Sequence, residues 1–144
     1  VGGEGYACAQ AWALLSAAHS RISERLAAEL ARTSALSINE FEILLRLERA
    51  PGLSLRLGDL NASVPLTQPA LSRAVTRLAD RGLLVRHGSP DDRRGVIVVL
   101  ESAGQALLAR AIPVHAQVIR EALLDHLSAD EQRLLADVLQ RVMA

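Results

Sequence analysis

The 144-residue chain contains no lysine, a single cysteine, and one each of Trp, Tyr, Phe and Met. One cysteine, Cys8, excludes both an intramolecular disulfide framework and a four-cysteine zinc site, and suits a reducing cytoplasm. No uninterrupted apolar run approaches the roughly 20 residues that cross a bilayer, and Val1 to Gly5 lacks the basic-then-apolar order of a secretory leader. The expectation is a soluble, cytoplasmic protein with no membrane partner. Net charge is absent too, because 16 acidic residues balance 16 basic ones, all arginine; the arginine-only usage reads as codon bias rather than function. With 50% hydrophobic residues the chain is too apolar for disorder, and its length predicts one folded domain or two small lobes. Catalytic signatures are missing as well. There is no G-x-S-x-G, P-loop, H-E-x-x-H or Rossmann glycine pattern, so no enzyme activity and no cofactor are expected. His19, His87, His115 and His126 contain no i, i+4 pair, and no metal site is predicted.

What is present is helical periodicity. From Tyr6 to Arg32 the residues Ala7, Ala11, Leu14, Leu15, Ala18, Ile22, Leu26 and Leu30 recur three or four apart, which predicts one long helix. The three glycines among the first five residues look like a frayed terminus without fold information. Ser37-Ile38-Asn39-Glu40 has the form of a capping box, opening a helix through Phe41, Leu44, Leu45 and Leu47 that stops near Pro51-Gly52. Leu53-Ser54-Leu55-Arg56 alternates like a short strand. Two short helices follow, at about 57–63 and 67–81; the second has Thr67 as N-cap, Pro69 in its first turn and Arg81-Gly82 as a glycine C-cap. The β-rich runs 83–86 and 96–100 flank a polar loop, 87–95. Helices over 102–127, kinked or interrupted at Pro113, and over 129–142, capped by Ser128 with Glu131, complete the chain. The order predicts a mainly α (α+β) fold: a winged helix-turn-helix lobe, 37–101, bracketed by a helical region from 1–36 and 102–144.

On the helix 67–81, Leu71, Val75 and Leu78 follow i, i+4, i+7 and are expected to be buried. The opposite face carries Pro69, Ser72, Arg73, Thr76, Arg77 and Asp80, with Thr67 and Gln68 at the tip. A major groove admits one helix, where Arg binds guanine bidentately, Gln binds adenine, and Ser or Thr meets bases or phosphates. A merely solvated helix face has the same composition, but it does not account for the turn, hairpin and basic loop tip occurring together. In that loop, Asp91, Asp92, Arg93 and Arg94 read either as a local ion-pair cluster or as a wing. The wing reading places Arg94 in a minor groove with Asp92 orienting its guanidinium and Arg93 on phosphate.

These residues resemble the MarR family of bacterial transcriptional regulators. The matching stretch is Leu53 to Gly104, above all Thr67-Gln68-Pro69-Ala70-Leu71-Ser72-Arg73, Arg77-Leu78, Arg81-Gly82-Leu83-Leu84-Val85-Arg86 and the hairpin Asp92-Arg93-Arg94-Gly95-Val96-Ile97-Val98-Val99-Leu100. Gly104 stands where the family's next helix usually carries glycine. One departure is Leu100-Glu101, where the family commonly has Leu-Thr, which shifts the expected helix start toward Ser102. The resemblance implies a homodimeric repressor that binds a pseudo-palindromic double-stranded DNA operator and responds to a small, often aromatic or anionic, effector.

The apolar residues of 1–36 and 102–144 exceed what the small lobe buries, and interleaving in a homodimer covers them while placing two recognition helices about 34 Å apart, one DNA turn. An effector acts by preferring one arrangement of dimer helices and lobes over another. Trp12 and His19 share a helix face, and with His115 they are candidates to edge an effector pocket; ordinary packing and solvated polar groups are the competing account. Cys8 has no neighbouring cation to stabilise a thiolate, and redox-sensing relatives place their cysteine nearer Ala13, so a redox role is not expected. A winged-helix module for dimerisation or protein contact, without DNA binding, is the alternative function. Against it stands the charge distribution. Residues 54–100 hold seven Arg and four Asp, net +3, while the rest hold nine Arg against twelve acids, net −3. The basic excess lies on the lobe that carries Arg73, Arg77 and Arg94.

Overall fold

A computed structural model describes residues 2–88 and 95–144. The fold is mainly α with one small sheet. In chain order the described elements are α1 (Gly2–Ser34), α2 (Ile38–Arg49), β1 (Ser54–Arg56), α3 (Leu57–Ser63), α4 (Gln68–Asp80), β2 (Leu84–His87), β3 (Ile97–Leu100), α5 (Ser102–Ala122) and α6 (Ala129–Met143), with 3-10 turns at Pro51–Leu53 and Leu124–His126. None of these helices is long and apolar enough to cross a membrane. The chain forms two compact units, one of Leu30–Val114 and one joining the chain up to Glu29 with His115–Ala144. From sequence alone the divisions fall at the loops, 36/37 and 101/102; the compact units divide inside α1 and α5, the second time just after Pro113.

In the unit Leu30–Val114, local chemistry sets the element ends. Ser37 Oγ accepts from the Glu40 amide at 3.1 Å while Glu40 Oε1 accepts from the Ser37 amide at 2.9 Å, so the capping box forms and α2 starts there. Gly52, at φ 66°, turns the chain out of α2 toward β1. The strands are antiparallel in the order β1-β3-β2, with Leu55 opposite Val98 and Val85 opposite Val99. The core gathers Phe41, Ile43, Leu44 and Leu47 of α2, Leu60 of α3, Leu71, Val75 and Leu78 of α4, Val98 of β3 and Leu108 of α5, all fully buried. At about 1.5–3 kcal/mol for each large side chain taken from water, this cluster is the main stabilising feature of the unit.

Where β2 was expected from Leu83, it begins at Leu84, because Leu83 is spent on ending α4. Its amide donates to the Leu78 carbonyl at 3.1 Å, and the Gly82 amide, at φ 72°, donates to Ala79 at 2.9 Å. This pair of bonds is the Schellman ending.

The other unit has little core of its own: among the described residues its buried apolar side chains are Leu26 and Val118, while Trp12, Leu14, Leu15, Leu134, Leu139 and Val142 are exposed. Arg25 pairs with Glu121, so α1 and α5 are joined here. Three expectations are corrected in these helices. The opening glycines are helical from Gly2, with Glu4 in the first turn complementing the helix dipole. Of the kink or interruption expected at Pro113, the interruption does not occur: α5 runs through it, and burial on either side, at Ala111 and Val118, offsets the one backbone bond that proline removes. The same helix stops at Ala122 rather than continuing to Leu127, because Leu123 leaves helical geometry (φ −132°, ψ −64°) and a 3-10 turn follows. Gln132 then holds that turn through Leu124 and Leu127 carbonyls, and the Ser128–Glu131 capping box opens α6.

Candidate nucleic-acid interface

Thr67 caps α4, its Oγ1 accepting from the Ala70 amide at 3.3 Å, and Pro69 occupies the first turn, where a missing N–H costs little. Leu71, Ala74, Val75 and Leu78 are buried on one side. That fixes which way the helix faces. Thr67, Gln68, Pro69, Arg73, Thr76 and Arg77 are exposed and Ser72 is half-buried, and Ser72, Arg73, Thr76 and Arg77 together line a shallow concavity of about 350 Å³.

These side chains differ in how far they are committed within the protein. Arg73 has no hydrogen-bond or ion-pair partner among the described residues, so its whole guanidinium is available. Arg77 Nε lies 3.5 Å from Glu40 Oε2, the same carboxylate that closes the α2 capping box. Glu40 is only 8% exposed, so this anchor is sheltered while the Arg77 head stays half in solvent. Thr76 Oγ1 donates to the Ser72 carbonyl at 2.9 Å. Chemically the face presents one free planar cation, one tethered cation and the Ser72 hydroxyl, which suits carbonyl, ring-nitrogen and phosphate acceptors.

At the hairpin, Gly88 (φ 125°) lies so close to Gly95 that a Cβ would sit 2.6 Å from the Gly95 carbonyl oxygen, which brings the two ends of the loop together. Asp92, Arg93 and Arg94 lie outside the described residues.

A family model described as MarR family matches residues 35–95. Over 104 residues the chain is 29% identical to the transcriptional regulator HosA of Escherichia coli O111:H-, an alignment covering 72% of this chain and 75% of that protein. Its fold is similar to that of Sco3205, a MarR family transcriptional regulator from Streptomyces coelicolor solved in complex with DNA, with a TM-score of 0.86, 28% identity, and coverage of 93% of this chain and 84% of that one. Each of these comparisons finds this chain similar to transcriptional regulators, and the family they point to is MarR. The chain is also similar to Bordetella bronchiseptica BpsR, whose DNA binding is regulated by 6-hydroxynicotinic acid, with a TM-score of 0.71, 25% identity, and coverage of 86% of this chain and 89% of that one.

Two arginines of this lobe that the sequence reading left out of the candidate interface are engaged by the structure, Arg86 with α4 and Arg81 with the end of α1. Arg86 of β2 donates from Nη1 to Thr76 Oγ1 at 3.2 Å. Arg81 donates from Nη1 to the Ala35 carbonyl at 2.7 Å and from Nη2 to the Ser34 carbonyl at 3.1 Å, a fork that satisfies the end of α1 and complements its dipole. Of the effector candidates, Trp12 and His19 line an open groove of about 420 Å³ with Leu15, Ser16 and Ser20, all on α1; His115 is not among its lining residues. His19 Nε2 lies 3.4 Å from Ser23 Oγ. Cys8 is exposed. Among the described residues no three His, Cys, Asp or Glu side chains converge as a metal site.

Proposed function

We propose that this chain is a MarR-family homodimer, a sequence-specific DNA-binding repressor whose affinity is set by a small aromatic or anionic effector. In this reading α4 enters the major groove, the loop 87–95 meets the minor groove through Arg94 with Asp92 and Arg93 beside it, and the helices of 1–36 and 102–144 carry the dimer. The observation that carries the proposal is the outward face of α4, where Arg73 and three further polar side chains form one contiguous surface opposite a fully buried face. Sco3205, which has the same fold, was solved with DNA, and the DNA binding of BpsR responds to an aromatic acid. Trp12 and His19 edge the groove offered to such an effector. The exposed apolar residues of α1 and α6 support a second copy as their cover.

Selection of duplexes from a random-sequence library by the purified protein tests this function. The expected product is a pseudo-palindrome with half-sites one helical turn apart, bound at two protomers per site. Enrichment of no sequence, with the protein folded and dimeric, overturns the reading in favour of a winged helix used for protein contact. Placing the selected site upstream of a reporter then checks the sign, since a repressor lowers transcription and addition of 6-hydroxynicotinic acid or a related aromatic acid restores it.

A further inference from the structure

Arg86 stands on an edge strand of the sheet, exposed, with no carboxylate partner among the described residues. Among the described residues its guanidinium has one hydrogen-bond partner, Thr76, whose hydroxyl is committed twice: it donates to the Ser72 carbonyl and accepts from Arg86 Nη1. A threonine hydroxyl has one proton. With that proton on Ser72, Thr76 has nothing left to donate to a phosphate oxygen or to an acceptor on a base. The Arg86 guanidinium has five N–H groups and spends one on Thr76, so four remain, along with an unneutralised charge. It therefore lies against the outer face of α4 as an oriented cation, in a position the helix periodicity does not reveal.

We propose that Arg86 is a further nucleic-acid contact of this lobe, a phosphate-binding side chain that Thr76 holds in place, and that Thr76 is a positioning residue rather than a reader of bases. The proposal rests on the DNA-binding reading above. Phosphate is the favoured target because Arg86 flanks α4 from the strand instead of projecting from the helix, and a planar fork with free N–H pairs matches phosphate oxygens. The cost of ordering a long, flexible side chain at an interface is lowered when it is held beforehand. Arg77, tied to Glu40, is held by a charge; Arg86 is held by a neutral hydroxyl and keeps its full charge.

The experiment uses the full chain, the duplex selected by the wild type, and an unrelated duplex of equal length. Replacing Arg86 by Gln is expected to weaken both duplexes by a similar factor, roughly threefold to tenfold near physiological salt, and to lower the slope of log K against log salt by about 0.9 for each protomer engaged. Thr76→Val is expected to reproduce part of that loss, Thr76→Ser to bind like the wild type, and the double variant T76V/R86Q to bind no more weakly than R86Q alone. Unchanged affinity and slope in R86Q overturn the contact. Altered preference at one base position without a change of slope makes Arg86 a base reader and overturns the phosphate assignment. Additive losses in the double variant overturn the positioning role, because Thr76 then touches DNA independently. A wild type that selects no duplex brings down the DNA-binding reading itself, an outcome distinct from any result on Arg86.

Discussion

Gly104 shows how little space a single position leaves. A Cβ there would lie 2.1 Å from the Leu83 carbonyl oxygen and 2.7 Å from Leu100 Cδ1, so the start of α5 presses on the chain that links α4 to β2. The Leu83 carbonyl is also occupied, accepting from the Glu101 amide at 3.0 Å, and cannot swing aside without breaking that bond. Gly104→Ala is therefore expected to destabilise the lobe by roughly 1–3 kcal/mol, read as a lower thermal midpoint with the secondary structure retained. From sequence, Gly104 was visible only through family resemblance, since the tightest approach is to the Leu83 backbone, about twenty positions away in the chain. The outward face of α4 was legible on its own, because Leu71, Val75 and Leu78 at helical spacing leave Ser72, Arg73, Thr76 and Arg77 nowhere else to point. What periodicity does not show is which of those side chains the rest of the lobe has already engaged. Arg73 is the one guanidinium of that face with no partner among the described residues, so Arg73→Ala is expected to lose roughly 1–3 kcal/mol of binding to the selected duplex. That loss comes with relaxed preference at one base position. An equal loss on unrelated DNA would assign Arg73 to phosphate instead.

Elements whose ends are set by neighbouring residues were readable, and elements whose ends depend on distant packing were not. Ser37 with Glu40 and Ser128 with Glu131 announce α2 and α6 within four residues, and both capping boxes form. Pro113 gives the opposite local signal. Its ring and missing N–H argue for a break, yet α5 continues because burial of flanking turns outweighs one lost bond. The stop at Leu123 has no strong breaker in the sequence at all. Near that stop, Gln117 and Arg25 both donate to the Glu121 carboxylate, and these hydrogen bonds, with the Arg25 and Arg120 charges, hold its pKa below the usual carboxylate range. A carboxylate whose pKa is depressed on folding adds stability above its unfolded value and loses it as pH falls through the folded one. Glu121→Gln should thus be less stable than wild type at neutral pH, with the gap closing as the solution is acidified below the ordinary carboxylate range. Chemical denaturation at a series of pH values measures it; a gap independent of pH would show that the Arg25–Glu121 link contributes through packing rather than charge.

Across the whole molecule the zero net charge is a cancellation between +3 on the unit Leu30–Val114, with 11 Arg against 8 acids, and −3 on the remainder, with 5 Arg against 8 acids. A dimer doubles the first figure on its two lobes, where phosphate would be met, and leaves the acidic excess on the helices. Those helices supply the second requirement. On α6, Leu134, Val138, Leu139 and Val142 fall three and four residues apart and all stay exposed, as do Trp12, Leu14 and Leu15 of α1. A single copy of the chain gives these side chains no core, and aligned apolar residues on two helices are the arrangement that pairing with a second copy buries. Removing residues 129–144 is expected to yield monomers or aggregates in sedimentation velocity, and Leu139→Asp in the full chain to give a folded species shifted toward monomer. The point variant separates loss of the interface from loss of the helix, since an exposed leucine-to-aspartate change should leave the α-helical signal intact. Either variant remaining a stable dimer takes α6 out of the interface. Duplex affinity should fall with the monomer fraction, because one lobe alone makes half the phosphate contacts and loses the gain from tethering the second.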